Sequence, residues 1–290
     1  MQRVSVHGGH SGQFCSHAAD TLEAVVSAYM EKGFSWVGIT EHMPPTHDRF
    51  LYPEEKQAGL TAAAMAQRFD RYIAEARRLQ NAYAGRLDIL VGFETEDTPG
   101  AIEAARHLIA RHAPDFVVGS VHHTDGIAFD YNEARYQEAR DAAGGIEDLY
   151  CRYYDRQYAL IQALRPQVVG HFDLIRIFDS AYRRTLLYPS VQERIQRNLA
   201  LVQSLGLILD FNVAALRKGA MEPYLSRTIL NQVRRMNIAV VPGDDSHGVA
   251  HVGLHLDESM QVLKQMGFDT RWRRPIAGSL PPKVQKPEDV

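Results

Sequence analysis

Short apolar runs alternate with longer amphipathic ones along almost the whole chain. Residues 2–6 (QRVSV), 35–40 (SWVGIT), 87–94 (LDILVGFE), 115–121 (DFVVGSV), 167–172 (QVVGHF), 206–211 (GLILDF) and 237–243 (NIAVVPG) are compact and rich in Val, Ile, Leu and Phe, the pattern of buried strands. Between them lie helical patterns at 21–32, 60–84, 99–113, 146–164, 189–204 and 225–236, with a last one near 256–266. Asp20 is the expected N-cap of the first helix, with Glu23 three residues on and Gly33 as its stop. Pro99 is expected in the first turn of the third. Residues 124–145 are polar and weakly periodic and read as a long loop. The Pro-rich stretch from about residue 279 reads as a loosely ordered tail.

Strand and helix repeated seven times imply an α/β fold with a parallel sheet covered by helices. At 290 residues, with no linker or internal repeat, residues 1–290 are expected to form one domain, a closed barrel rather than an open sheet. Composition changes this picture little: 45% hydrophobic and 23% charged residues support a large core. A net charge of −3 gives no footprint for nucleic acid or anionic membrane, and no apolar run approaches a membrane span. Two cysteines and an N-terminus without an apolar leader point to a reducing, cytoplasmic setting. Nothing in the sequence defines the oligomeric state.

Histidine, at 13 residues, does change the picture, because of where it falls. His7, His10 and His17 follow the first strand, and Glu41 and His42 the second. Glu94 and Glu96 end the third, His122 and His123 follow the fourth, and His171 and Asp173 end the fifth. Asn212 and Arg217 follow the sixth, and Asp244, Asp245 and His247 the seventh. A single histidine after a strand is ordinarily a cap or a solvated side chain. Six strands delivering His, Glu or Asp to one rim, where barrels build their active sites, point instead to metal. Imidazole mixed with carboxylate suits Mn, Zn or Fe rather than Ca or Mg. The candidates exceed what one ion takes, so two or three divalent transition metals are expected. Such clusters suit hydrolysis of phosphate esters.

The segments HSGQFCSHA, GITEHMP, GFETE, GSVHH, GHFDLIRIF and GDDSH, in this order, resemble the polymerase and histidinol phosphatase (PHP) family from residue 7 to about 253. GHFDLIRIF, FNVAALRKG and EPY resemble its histidinol-phosphatase branch. The resemblance implies a distorted (β/α)7 barrel with a trinuclear metal site at the C-terminal strand ends. It also implies hydrolysis of L-histidinol phosphate to L-histidinol and phosphate, a step of histidine biosynthesis by a phosphoric monoester hydrolase. Carried over by position, it implies His10, His17, His42, Glu94, His122, His171, Asp245 and His247 as ligands, with Glu94 bridging. Asp245 is preferred to Asp244 because it stands two before His247, a same-side spacing in extended chain. His123 is held back because it would face away from His122 on a continuing strand.

Where the family usually has His-x-His, this chain has HGGH, so that Gly8 falls at the usual first histidine. His7 joins the ligands only if Gly8 and Gly9 bulge the strand. Arg176 and Arg217 are expected to clamp phosphate with their guanidinium forks. Lys218 is a weaker candidate, and Arg183 with Arg184 a solvated pair. His247 or a bound water would protonate the leaving group, so Arg176, Arg217 and His247 are the catalytic candidates. Cys15, amid the ligands, reads as a buried structural thiol. Three alternatives stay open: a phosphoesterase for another small phosphorylated metabolite or nucleotide, a non-catalytic metal-binding relative, and an amidohydrolase.

Overall fold

A computed structural model describes residues 1–275. The expected tail from residue 279 lies outside the described residues. Seven parallel strands follow one another around a barrel: β1 (Arg3–Gly8), β2 (Phe34–Ile39), β3 (Asp88–Glu94), β4 (Phe116–Gly119), β5 (Val168–Val169), β6 (Ile208–Asn212) and β7 (Ala239–Gly243). Each is followed by a helix, at Leu22–Glu31, Ala62–Ala82, Ala101–His112, Ile146–Leu164, Pro189–Ser204, Arg227–Arg235 and Leu256–Gln265. The strand order is the chain order, as right-handed β–α–β crossovers give. No ladder joins β7 to β1. The gap is bridged beyond the strand ends, where Asp245 N donates to His7 O at 2.8 Å and His10 N to Ser246 O at 2.8 Å. The fold is therefore a nearly closed, distorted (β/α)7 barrel, as expected.

The strands are buried on both faces, which explains their continuous apolar composition. Helix Ala62–Ala82 shows the matching logic on the outside. Met65, Phe69, Tyr72, Ile73, Ala76 and Leu79 form one buried stripe, and the Tyr72 hydroxyl donates to Ile39 O at 2.8 Å.

Three expectations change. The first helix is capped by Thr21, whose side chain accepts from Ala24 N at 3.2 Å. Asp20 has a left-handed φ of 66° and instead accepts from Val249 N, pinning the loop after β7. Pro99 lies one residue before the N-cap Gly100, outside its helix. The polar stretch 124–145 is not a loop. A small hairpin pairs His123–Thr124 with Ile127–Ala128, and a helix spans Glu133–Ala143. That helix buries only Tyr136, Ala139 and Ala143, so alanines carry most of its apolar face and the periodicity is faint.

Candidate metal centre

The site begins with a fault in β1. Its register against β2 shifts between Ser5 and Gly8, and Gly9 takes a φ of +75°. This bulge turns the His7 side chain into the barrel mouth, where it is fully buried. The condition set by the sequence for His7 to join the site is met.

Five imidazoles form a closed loop there. Ring centroids are 5.9 Å apart for His7–His10, 4.5 Å for His10–His42, 5.6 Å for His42–His122, 5.1 Å for His122–His171 and 5.5 Å for His171–His7. Glu94 stands within their reach. Its carboxylate oxygens lie 2.8 Å from His171 Nε2, 3.3 Å from His7 Nε2, His42 Nδ1 and His122 Nε2, and 3.8 Å from His10 Nε2. His247 stacks on His10 at 4.3 Å and on His17 at 5.1 Å, extending the loop toward solvent. Asp245 Oδ1 lies 3.4 Å from His10 Nε2 and 3.5 Å from His247 Nδ1. All nine residues read as ligands thus share one neighbourhood.

The two adjacent acids after β7 have separate work. Asp244 accepts from the Tyr29 hydroxyl, Ser5 Oγ and Gly253 N, each at 2.7 Å, and so ties β1, the first helix and the last loop together. Asp245 has a left-handed φ of 46°, which points it into the cluster. Asp245 and His247 do not share an extended strand, because the strand ends at Gly243.

Three further carboxylates stand behind the imidazoles. Asp210 Oδ2 lies 2.9 Å from His7 Nδ1, which places the ring proton there and leaves Nε2 facing Glu94. Glu41 accepts from Ser11 N and Oγ at 2.8 Å and approaches His10 Nδ1 at 3.5 Å. Glu96 lies 3.0 Å from His42 Nδ1, 3.2 Å from His122 Nδ1 and 3.4 Å from His123 Nδ1. His123 faces Glu96 instead of away from His122, because β4 stops at Gly119 and His123 begins the hairpin. Sequence reasoning missed Asp210, although an acid inside the apolar run GLILDF was a usable signal.

The donors fit a metal cluster. Among the described residues, His7 Nε2, both ring nitrogens of His10 and His42, His171 Nδ1 and both Glu96 oxygens are buried without a hydrogen-bond partner. Leaving a buried polar atom unsatisfied costs about 1–3 kcal/mol, and bound metal ions would satisfy many of these atoms at once. His7 with Glu94 and His171, His7 with His10 and Asp245, His42 with Glu96 and His122, and His10 with Cys15, His42 and His247 each bring ligand atoms within 4.8 Å of one another. Cys15 is buried, and desolvation pushes its thiol well above the ordinary range.

The electrostatics are those of an ion cluster. Burial opposes charge on Glu94, but the imidazoles, His7 first, hold its carboxyl well below the usual carboxylate range. Burial likewise opposes charge on His10, and Asp245 and Glu41 outweigh it, raising His10 to about 9 from 6.5. His247 moves the other way, pushed well below the imidazole range by burial and by His10.

These shifts predict a pH dependence. In the metal-free protein His10 carries a proton at neutral pH, which a metal must displace. Affinity for Zn or Mn therefore rises between pH 7 and about 9, with proton release detected by calorimetry in buffers of different ionisation heat. The metal-free fold follows the opposite course. The stability from the raised His10 pKa is present below about 6.5 and is lost as pH rises through about 9. Affinity flat across that range would contradict the assignment.

A cavity of about 500 Å3 opens beside the cluster, lined by Leu174, Ile177, Phe178, Arg217, Lys218 and Tyr224 as well as by the histidines. Arg217 reaches it with both terminal nitrogens 3.2 Å from Asp245 O. Arg176 does not present a free fork. Its Nε donates to Asp173 Oδ2 at 3.2 Å, and one terminal nitrogen donates to Glu222 O at 2.9 Å and Pro223 O at 2.6 Å. The guanidinium sits against the Tyr182 and Tyr224 rings at 4.9 Å each, because the chain turns back over it after β5. Among the described residues, only its other terminal nitrogen is uncommitted.

A barrel whose strand ends converge imidazoles on one buried glutamate defines a class of metal-dependent hydrolytic domains, and comparison with known proteins places it. A family model described as the PHP domain matches residues 8–214, and the chain belongs to that family. It is 37% identical over 269 residues to the "Probable histidinol-phosphatase" of Schizosaccharomyces pombe, covering 91% of this chain and 87% of the relative. It is 30% identical to the histidinol-phosphatase of Saccharomyces cerevisiae, with 89% and 87% covered. A histidinol phosphate phosphatase from Lactococcus lactis, solved with zinc, L-histidinol and phosphate, shares the fold with a TM-score of 0.62 at 16% identity, over 92% and 95% of the two chains.

Proposed function

We propose that this protein is a metal-dependent phosphomonoesterase that hydrolyses L-histidinol phosphate to L-histidinol and phosphate, a step of histidine biosynthesis in the cytoplasm. The observation that carries the reading is Glu94 within 3.8 Å of five imidazoles, beside a cavity that Arg217 lines. The names of the two fungal relatives supply the substrate.

His7, His10, His17, His42, Glu94, His122, His171, Asp245 and His247 would hold two or three Mn, Zn or Fe ions. Bound divalent metals supply Lewis acidity at the phosphoryl oxygens and lower the pKa of water near phosphorus. The protein's own groups do the rest. Arg217, fixed on Asp245 O at the cavity wall, meets phosphate oxygens and offsets the charge that develops on them. Lys218 adds positive charge to the same cavity. Asp210 holds the His7 imidazole in register from its outer side through Nδ1. His247, kept neutral by burial and by His10, offers a lone pair rather than a proton and suits a ligand better than the leaving group's acid.

The test is kcat/KM across phosphate monoesters and diesters with Mn or Zn supplied. L-histidinol phosphate is expected to exceed p-nitrophenyl phosphate by about a hundredfold or more, as matched polar contacts allow. Equal rates on the two would overturn the substrate assignment.

A further inference from the structure

Four carboxylates line the cavity: Glu54, Glu94, Asp130 and Asp245. Three are engaged. Glu94 and Asp245 face the imidazoles, and Glu54 lies 3.7 Å from His17 Nδ1 and accepts from the Tyr131 hydroxyl at 3.1 Å. Asp130 is different. Among the described residues it has no hydrogen-bond donor and no basic group within ion-pair distance, and its Oδ1 is buried and unpartnered. A half-buried carboxylate on a cavity wall with no partner from the protein is available to a cation that enters the cavity.

Its placement is fixed. Phe129 before it is fully buried, its N–H donates to His122 O at 3.2 Å, and its ring meets Tyr153 edge-on at 5.6 Å. Tyr131 after it stacks on Tyr52 at 6.0 Å. Two anchored aromatic residues therefore hold Asp130 at the cavity, on the segment that leaves His122.

We propose that Asp130 is a specificity-determining residue that pairs with a primary ammonium on the organic half of the substrate, selecting phosphate monoesters of amino alcohols. This rests on the proposed phosphatase function. A dianionic phosphate is drawn to the cluster and to Arg217, which repel a cationic amine attached to the same molecule. A carboxylate that pairs with none of the imidazoles gives that amine its own partner, while Leu174, Ile177 and Phe178 cover the carbon skeleton. Oppositely charged ends then fix the substrate in one direction.

The experiment compares the metal-loaded wild type with Asp130→Asn on three substrates. They are L-histidinol phosphate, its analogue without the amine (3-(imidazol-4-yl)propyl phosphate), and p-nitrophenyl phosphate. Asp130→Asn is expected to raise KM for L-histidinol phosphate by about 10- to 100-fold, as loss of a charge-assisted pair does. Its KM for the amine-free analogue stays within about twofold of wild type, which also shows that the variant folds and holds metal. Equal losses on both imidazole substrates, or none on either, overturn the proposal and leave the phosphatase reading intact. A wild type that does not prefer L-histidinol phosphate to p-nitrophenyl phosphate overturns both.

Discussion

Glu94→Gln abolishes function while keeping the shape of the side chain, with kcat falling about a thousandfold or more and bound metal falling with it. Glutamine keeps one carbonyl oxygen but loses the charge that faces five imidazoles between 2.8 and 3.8 Å. That charge is well maintained in the wild type, since the imidazoles hold Glu94 far below the usual carboxylate range against the cost of burial. Removing it leaves any bound cations to repel one another without a shared counter-charge. The check is elemental analysis and kcat on the same preparation, with the melting curve of the metal-free protein as the folding control. A variant retaining two or more metals per chain and a tenth of the activity would refute the central role of Glu94.

Gly8→Ala is expected to lower stability by about 2–3 kcal/mol, a fall in Tm of about 5–10 °C. A methyl group at position 8 collides with the Tyr29 hydroxyl and stands 2.9 Å from Asp244 Oδ1 and 3.0 Å from Ser5 Oγ. Those three groups form the hydrogen-bonded latch that joins β1 to the loop after β7. They cannot yield without opening the seam where the barrel closes. The same shift would swing His7 away from Glu94, so metal affinity falls with stability. Thermal melts and metal titration read the two effects together. A melting temperature within about 2 °C of wild type would show that the latch tolerates the methyl.

HGGH looked like a departure that endangered the metal site. In the folded protein the extra glycine is absorbed by a bulge, and His7 reaches Glu94 at 3.3 Å. Which of two glycines bulges, and into what space, depends on Tyr29 and Asp244, 21 and 236 positions away along the chain. The same distance hid the commitment of Arg176: Asp173 is near in sequence, but the Glu222 and Pro223 carbonyls that occupy it are not. Asp130 could not be singled out from the polar stretch 124–145, because being bare on a wall is a property of its neighbours.

The amino-acid sequence by itself determined the seven strand–helix units, their parallel arrangement, and the rim to which His, Glu and Asp are delivered. These follow from local periodicity and from the rule that parallel strands end on one side. Only the tertiary structure decided which carboxylate faces which ring nitrogen, how β1 buckles to admit His7, and which acid in the cavity is left without a partner. Those are contacts between segments tens to hundreds of residues apart, set by barrel closure and side-chain packing, and no local pattern encodes them.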